Sequence, residues 1–321
     1  MAAASITSMA WMLALCCAAL MGYAIQRGAT CMVAAIDEML HRRRARRLIA
    51  LGEAAIWVAG GLILAHLSGG LMMAPSGYPV SAATVAGGAM LGIGALVNRA
   101  CVFGAIARLG SGEWAYALTP PGFMLGCLIA DHAFAMAVPS TTSPALFAGG
   151  RLWAMLFALF AFWRGAEAIA ALRRREFARH IWSPHRATMV IGIAFVVMLL
   201  TVGSWAYTDA LASLVRGMTS GTAAKLILFL ALLAGAIAGG WTAGRLRSAA
   251  PTARDAGRCL CGGVLMGAGT VLIPGGNDGL ILVGLPLLQP HALVALVSMA
   301  LAIMCGMAME RRWAALASDL D

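Results

Sequence analysis

Apolar residues run through this chain in nine long blocks separated by short polar segments. The blocks fall near 9–27, 48–72, 81–109, 120–138, 144–171, 188–207, 223–244, 259–285 and 291–309. Most reach the roughly 20 apolar residues that a helix needs to cross a hydrocarbon layer. The pattern predicts an all-α integral membrane protein with about nine transmembrane helices. Residues 1–21 lack a basic leading segment, so they are assigned to the first span and not to a cleavable signal.

Two blocks carry the same glycine pattern. GGAMLGIGALVNRACVFG occupies 87–104 and GGVLMGAGTVLIPGGNDG occupies 262–279. The offset, 262 minus 87, is 175 residues and holds without a gap. Gly87, Gly88, Gly92, Gly94 and Gly104 then align with Gly262, Gly263, Gly267, Gly269 and Gly279. Convergent helix-packing glycines are the bland alternative to a true internal repeat. Each copy has the form of a half-helix, a break and a resumption. The breaks are Asn98-Arg99-Ala100-Cys101 and Pro274-Gly275-Gly276-Asn277-Asp278. Irregular backbone at membrane depth must line a cavity or be buried in protein, because lipid offers no hydrogen-bond partners. A shorter echo pairs Arg27-Gly28-Ala29-Thr30-Cys31 with Arg216-Gly217-Met218-Thr219-Ser220, at an offset of 189 (216 minus 27).

Arginine sets the expected orientation. Clusters stand at 42–47, 173–186, 245–258 and 311–312, whereas the segments 72–80, 139–144 and 286–290 hold no Lys or Arg. The positive-inside rule puts the clusters in the cytoplasm, the N-terminus outside and the C-terminus inside. The two glycine-rich copies then cross in opposite directions. This predicts broken or re-entrant helices in an inverted pseudo-symmetric repeat: a first half at 1–150, a linking helix and cytoplasmic loop at 151–185, and an inverted half at 186–321.

Composition agrees with a membrane protein. Of 321 residues 61% are hydrophobic and 11% charged, and the mean hydropathy is +0.86. No soluble fold carries that balance. The net charge of +10 sits mostly in short arginine loops, so it reports topology and not nucleic-acid binding. The eight cysteines are scattered, and Cys259-Leu260-Cys261 has no second pair nearby. Neither a zinc site, another cofactor nor a disulfide framework is expected, and no residue is assigned a catalytic role.

Cys31 and Cys101 are the candidate contact residues. Each follows an Arg and stands near the start of a resumed helix, where free N–H groups favour an anion. Cys16, Cys17, Cys127 and Cys305 are assigned to packing, as small apolar membrane residues. Arg27, Arg99 and Arg216 require a cavity, a counter-ion or an interface to reach, because charge at membrane depth is costly. Asn277 and Asp278 could pair with Arg99, hold a co-transported cation or cap the resumed helix. Glu53, Glu167, His66 and His132 are candidates for proton relay or for plain structural hydrogen bonding.

At these motifs the sequence resembles the YeeE/YedE sulphur-transport family. The matching pieces are Arg27 to Cys31, the segment 87–112 around Cys101, and 262–279. The resemblance implies an inner-membrane importer of a small sulphur-containing anion, thiosulphate-like, in a helical fold whose pseudo-symmetric halves narrow at the centre. It implies three pathway cysteines that hand the substrate along by S–H hydrogen bonds. Two fall on Cys31 and Cys101, with Arg27 and Arg99 attracting the anion. The third falls on Gly276, which has no thiol: either the substrate differs, or a nearby group such as Asn277 substitutes, or transport depends on a partner. The implied partners are the anion, the bilayer and a small cytoplasmic sulphur-carrier protein. Two rivals remain: a membrane redox subunit holding haem between spans, and a non-transporting partner of a sulphur-transfer or redox system.

Overall fold

The computed structural model describes residues 2–70, 75–134, 138–139, 145–176, 181–203, 205–217, 221–273 and 275–318. Among them every regular element is helical. The first part of the chain forms α1 (Ala2–Gly28), α2 (Met32–Arg42), α3 (Arg46–Leu67), α4 (Ala82–Asn98), α5 (Val102–Gly110) and α6 (Thr119–Ala133). A linking helix follows, α7 (Gly150–Arg173). The remainder forms α8 (Pro184–Val202), α9 (Tyr207–Val215), α10 (Thr222–Thr242), α11 (Ala253–Leu272), α12 (Gly276–Gly279) and α13 (Pro290–Ser318).

The long helices stand in two rows. One row packs in the order α3, α8, α1, α10, and the other in the order α13, α4, α11, α6. The short helices α2, α5, α9 and α12 contact members of these rows and, in part, one another. Helix α7 packs on α3, and only 6% of its most apolar window is buried. Its Leu159, Phe162, Ile169 and Leu172 are exposed, as suits a face turned to lipid.

Glycine brings the second row together. A Cβ on Gly87 would fall 2.8 Å from the carbonyl oxygen of Gly269, and one on Gly94 would fall 2.9 Å from that of Gly262. The reciprocal additions on Gly269 and Gly262 would each fall 2.8 Å from Gly87 and Gly94. Backbones this close exclude any side chain, the use of small residues at membrane helix crossings. The pairing 87 with 269 and 94 with 262 also means that α4 and α11 cross antiparallel.

Seven stretches among the described residues are long and apolar enough to span a membrane, or eight when α11 and α12, bent by 49°, count as one. The sequence led us to expect nine. The shortfall is α6, whose 15 residues extend about 22 Å against a hydrocarbon layer of about 30 Å. Its expected block, 120–138, runs into 135–137, which lie outside the described residues, as do Met72 and Pro144 at the ends of two other blocks.

The end of α8 at Val202, ahead of a separate α9, was not foreseen. Cys31 and Ala206 are the N-cap residues of α2 and α9, and 206 minus 31 is again 175. The shorter echo at offset 189 does not mark equivalent places. Arg27 and Gly28 end α1 ahead of its break, whereas Arg216 caps the far end of α9. Met218, Thr219 and Ser220 lie outside the described residues.

Candidate functional site

The two breaks of the first half are built alike. Ala29 (φ 46°) and Arg99 (φ 56°) each take the left-handed conformation two residues before a cysteine. At each, the following N–H reaches back five residues: Thr30 to the carbonyl of Ile25 at 3.2 Å, and Ala100 to that of Ala95 at 3.0 Å. This satisfies helix-end carbonyls in the manner of a Schellman turn. Glycine is the usual occupant of such a turn, so an arginine there carries backbone strain. The cysteines then open the next helices, with Ala35 N–H on the Cys31 carbonyl at 3.0 Å and Ala105 N–H on that of Cys101 at 2.8 Å.

These breaks meet. The backbone N–H of Met32 donates to Cys101 Sγ at 3.2 Å. A Cβ on Gly104 would fall 2.5 Å from Cys31 Sγ, so this matched glycine leaves room for the thiol. Asn98 fastens the junction: its Nδ2 donates to the Ala100 carbonyl at 2.8 Å, and its Oδ1 accepts from Thr119 Oγ1 at 3.2 Å.

Two vestibules open at opposite ends of α10 and α13, the first bordering this centre. One, of about 460 Å³, is lined by Cys31, Arg47, Arg99, Gly104, Arg108 and Arg245 among others. The second, of about 390 Å³, is lined by Asp209, Arg216, Lys225, Gly275, Gly279 and His291 among others. Helix α10, which runs between them, has 21 residues and extends about 32 Å, close to a hydrocarbon thickness. Loop residue Tyr78 edges the second vestibule, and burial pushes its phenol above its ordinary pKa. Arg47 and Arg245, from the first and third arginine clusters, line the first vestibule with Arg99, and Arg311 of the fourth reaches His41 nearby. Arg179, in the second cluster, lies outside the described residues.

The structure separates the other expected residues. Arg27 is buried and lines neither vestibule; its guanidinium donates to Tyr23 Oη at 2.8 Å and Thr242 Oγ1 at 3.0 Å, tying α1 to α10. Gly276 has φ +49°, and a Cβ there would fall 2.4 Å from Thr208 Oγ1. A larger residue meets both a strained backbone and an occupied space, a steric reason for the missing thiol. Asp278 does not pair with Arg99. Its carboxylate accepts from Thr208 Oγ1 and, at 3.2 Å, from Thr208 N–H. Asn277 is 1% exposed, and neither its Oδ1 nor its Nδ2 has a hydrogen-bond partner among the described residues. An unmatched buried amide is costly, and such groups call for an explanation.

Outside the centre, Cys127 is buried with its thiol on the Gly267 carbonyl at 3.5 Å, whereas Cys305 is exposed on α13 and is not a core residue as expected. Glu53 is held by Arg164 and by His185 at 2.6 Å. His66 stacks on Phe147, and His132 Nδ1 meets the Leu128 carbonyl. Tyr207, Thr208, Asp209 and Lys225 were missed. Applying the 175-residue offset to Cys31 leads to Ala206, directly before Tyr207-Thr208-Asp209, so the signal for three of them was present.

A family model described as sulphur transport matches residues 27–305, nearly the whole chain. The chain belongs to this sulphur-transport family. It is therefore a multi-pass membrane protein of sulphur transport, in line with the resemblance to YeeE/YedE proteins drawn from its motifs. The matched region takes in both glycine-rich segments, Cys31 and Cys101, and every residue named at the centre. No curated protein matches the chain.

Proposed function

We propose that the chain imports a small sulphur-containing anion, thiosulphate-like, across the inner membrane through a passage between the two rows of helices. The N-terminus lies outside and the C-terminus in the cytoplasm, where arginine is retained. The halves 1–150 and 186–321, joined by 151–185, form an inverted repeat. The antiparallel glycine crossing and the recurring offset support it.

One observation carries the reading. The thiols of the first half lie at the inner limit of a cationic vestibule, Cys31 on its wall and the fully buried Cys101 beside the start of α2. Arg99 supplies counter-charge there. The thiols offer S–H donors and polarizable sulphur, which suit a soft anion. Asn277 offers an unmatched amide next to Gly276, the position at which the family pattern has a thiol. Arg27 acts at one remove, holding the end of α1 ahead of the break. A small cytoplasmic sulphur-carrier protein would receive the cargo.

Radiolabelled thiosulphate, sulphite and sulphate uptake tests this, in cells lacking other importers. Thiosulphate is expected to accumulate only when the protein is expressed. Failure of all three anions would leave the non-transporting partner reading, which the absence of a thiol at Gly276 favours.

A further inference from the structure

Away from the passage, at the arginine-rich end, the start of α3, the end of α7 and the start of α8 enclose a polar cleft of about 470 Å³. Its lining includes Arg46, Arg164, Arg174, Arg186 and His185. Part of this charge is matched within the protein. Arg164 pairs with Glu53 and Glu167, and Arg186 pairs with Glu176. His185 Nδ1 lies 2.6 Å from Glu53 Oε2. Arg46 and Arg174 are different: both are exposed, and neither forms an ion pair among the described residues. Four arginines against Glu53, Glu167 and Glu176 leave the cleft positive.

The surroundings say what such a cleft meets. Its outer wall is α7, whose side chains point almost entirely outward. Phe162, Ile169 and Leu172 are 77%, 56% and 65% exposed, a continuous apolar flank beside a positive pocket. In a bilayer that flank is covered by acyl chains, and the helix ends that carry Arg46 and Arg174 stand at headgroup depth. Trp163 stacks under Arg164, 4.9 Å from the guanidinium carbon to the ring centroid. Guanidinium groups match phosphate oxygens in two-point hydrogen bonds, and basic pockets between membrane helices are suited to anionic headgroups.

We propose that this cleft seats the headgroup of an anionic phospholipid, its phosphodiester between Arg46 and Arg174 and an acyl chain along the exposed face of α7. The site is separate from the passage and does not depend on the transport reading. Its consequence is mechanical. Helix α7 packs chiefly on α3 among the long helices, so a lipid bridging α3 and α7 secures α7 against the rest of the fold.

Native mass spectrometry and thermal unfolding of delipidated protein in detergent test it, with phosphatidylglycerol, phosphatidylcholine and inorganic phosphate as probes. Phosphatidylglycerol is expected to remain bound and to raise Tm, while the other two do neither. The double variant Arg46→Gln/Arg174→Gln should bind phosphatidylglycerol about 30-fold more weakly, two cationic contacts being lost. The double variant Arg46→Lys/Arg174→Lys, which keeps the charge, should retain most of the binding and controls for misfolding. Wild-type affinity in the Gln variant would overturn the proposal. So would an equal response to phosphatidylcholine, or an equal response to inorganic phosphate, which would make the cleft a site for the free ion.

Discussion

Single residues decide where a thiol can stand at the breaks. Gly276 occupies the position matched to Cys101, yet its backbone is left-handed and Thr208 fills the space beside it. Gly276→Cys should therefore not restore a family-like relay. It should lower stability by about 1–3 kcal/mol through backbone strain alone, read as a drop in Tm, and uptake should fall. Full-strength uptake by that variant would mean that the left-handed conformation is dispensable. Arg99 offers a sharper separation of stability from function. Arg99→Gly relieves a left-handed residue and should stabilise by about 1 kcal/mol, yet it removes the vestibule's charge at the break and should abolish uptake. A variant that is more stable and equally active would dismiss the arginine's role. These residues differ in how legible they were. Cys101 and Arg99 stood out because a charge and a thiol interrupt an apolar run. Thr208 and Asp209 did not, because the Arg-Gly-x-Thr echo drew the comparison to the wrong end of α9.

Among the elements, the broken helices and their crossing were the most legible. Five glycines at one offset foretold where α4 and α11 approach, because only glycine lets two backbones come that near. Gly94→Val or Gly262→Val should prevent that approach and leave little folded protein in the membrane, measured by extraction and size-exclusion profile. Gly257, on α11 with nothing within 4 Å of an added Cβ, is the control. Gly257→Ala should be neutral or stabilise by up to about 1 kcal/mol, the ordinary helix preference. Equal behaviour of the two kinds of variant would mean that the crossing is not set by close backbone contact. The α8–α9 break was illegible for a physical reason. Gly203 alone marks it, in a run whose hydropathy continues across it, and neither Arg nor Cys signals a change of environment. Helix α6 was overread for the converse reason: apolar composition persists past Ala133, where the helix ends.

At the scale of the whole molecule, four half-helices pack on two rows of long helices, and vestibules open at opposite ends of α10 and α13. The arginine distribution made that polarity legible, since charge is tolerated where helix ends reach water. The meeting of the Cys31 and Cys101 breaks was not legible, because it depends on a contact between segments 70 residues apart (101 minus 31). The same arrangement orders the thiols by access. A small membrane-impermeant thiol reagent should reach Cys31 through its vestibule, and thiosulphate should slow that reaction, whereas buried Cys127 should stay unlabelled. Cys305 is left out of this comparison, since its exposed flank makes it a poor reporter. The central claim is that a sulphur anion passes the thiols where the two breaks meet. Thiosulphate uptake into proteoliposomes of the purified protein tests it most directly, with Cys101→Ala set beside Cys127→Ala. The account predicts rapid uptake by the wild type and by Cys127→Ala, and loss of at least about tenfold in Cys101→Ala, as expected when a polar contact worth about 1.4 kcal/mol or more is removed. Equal uptake by all three proteins would contradict it.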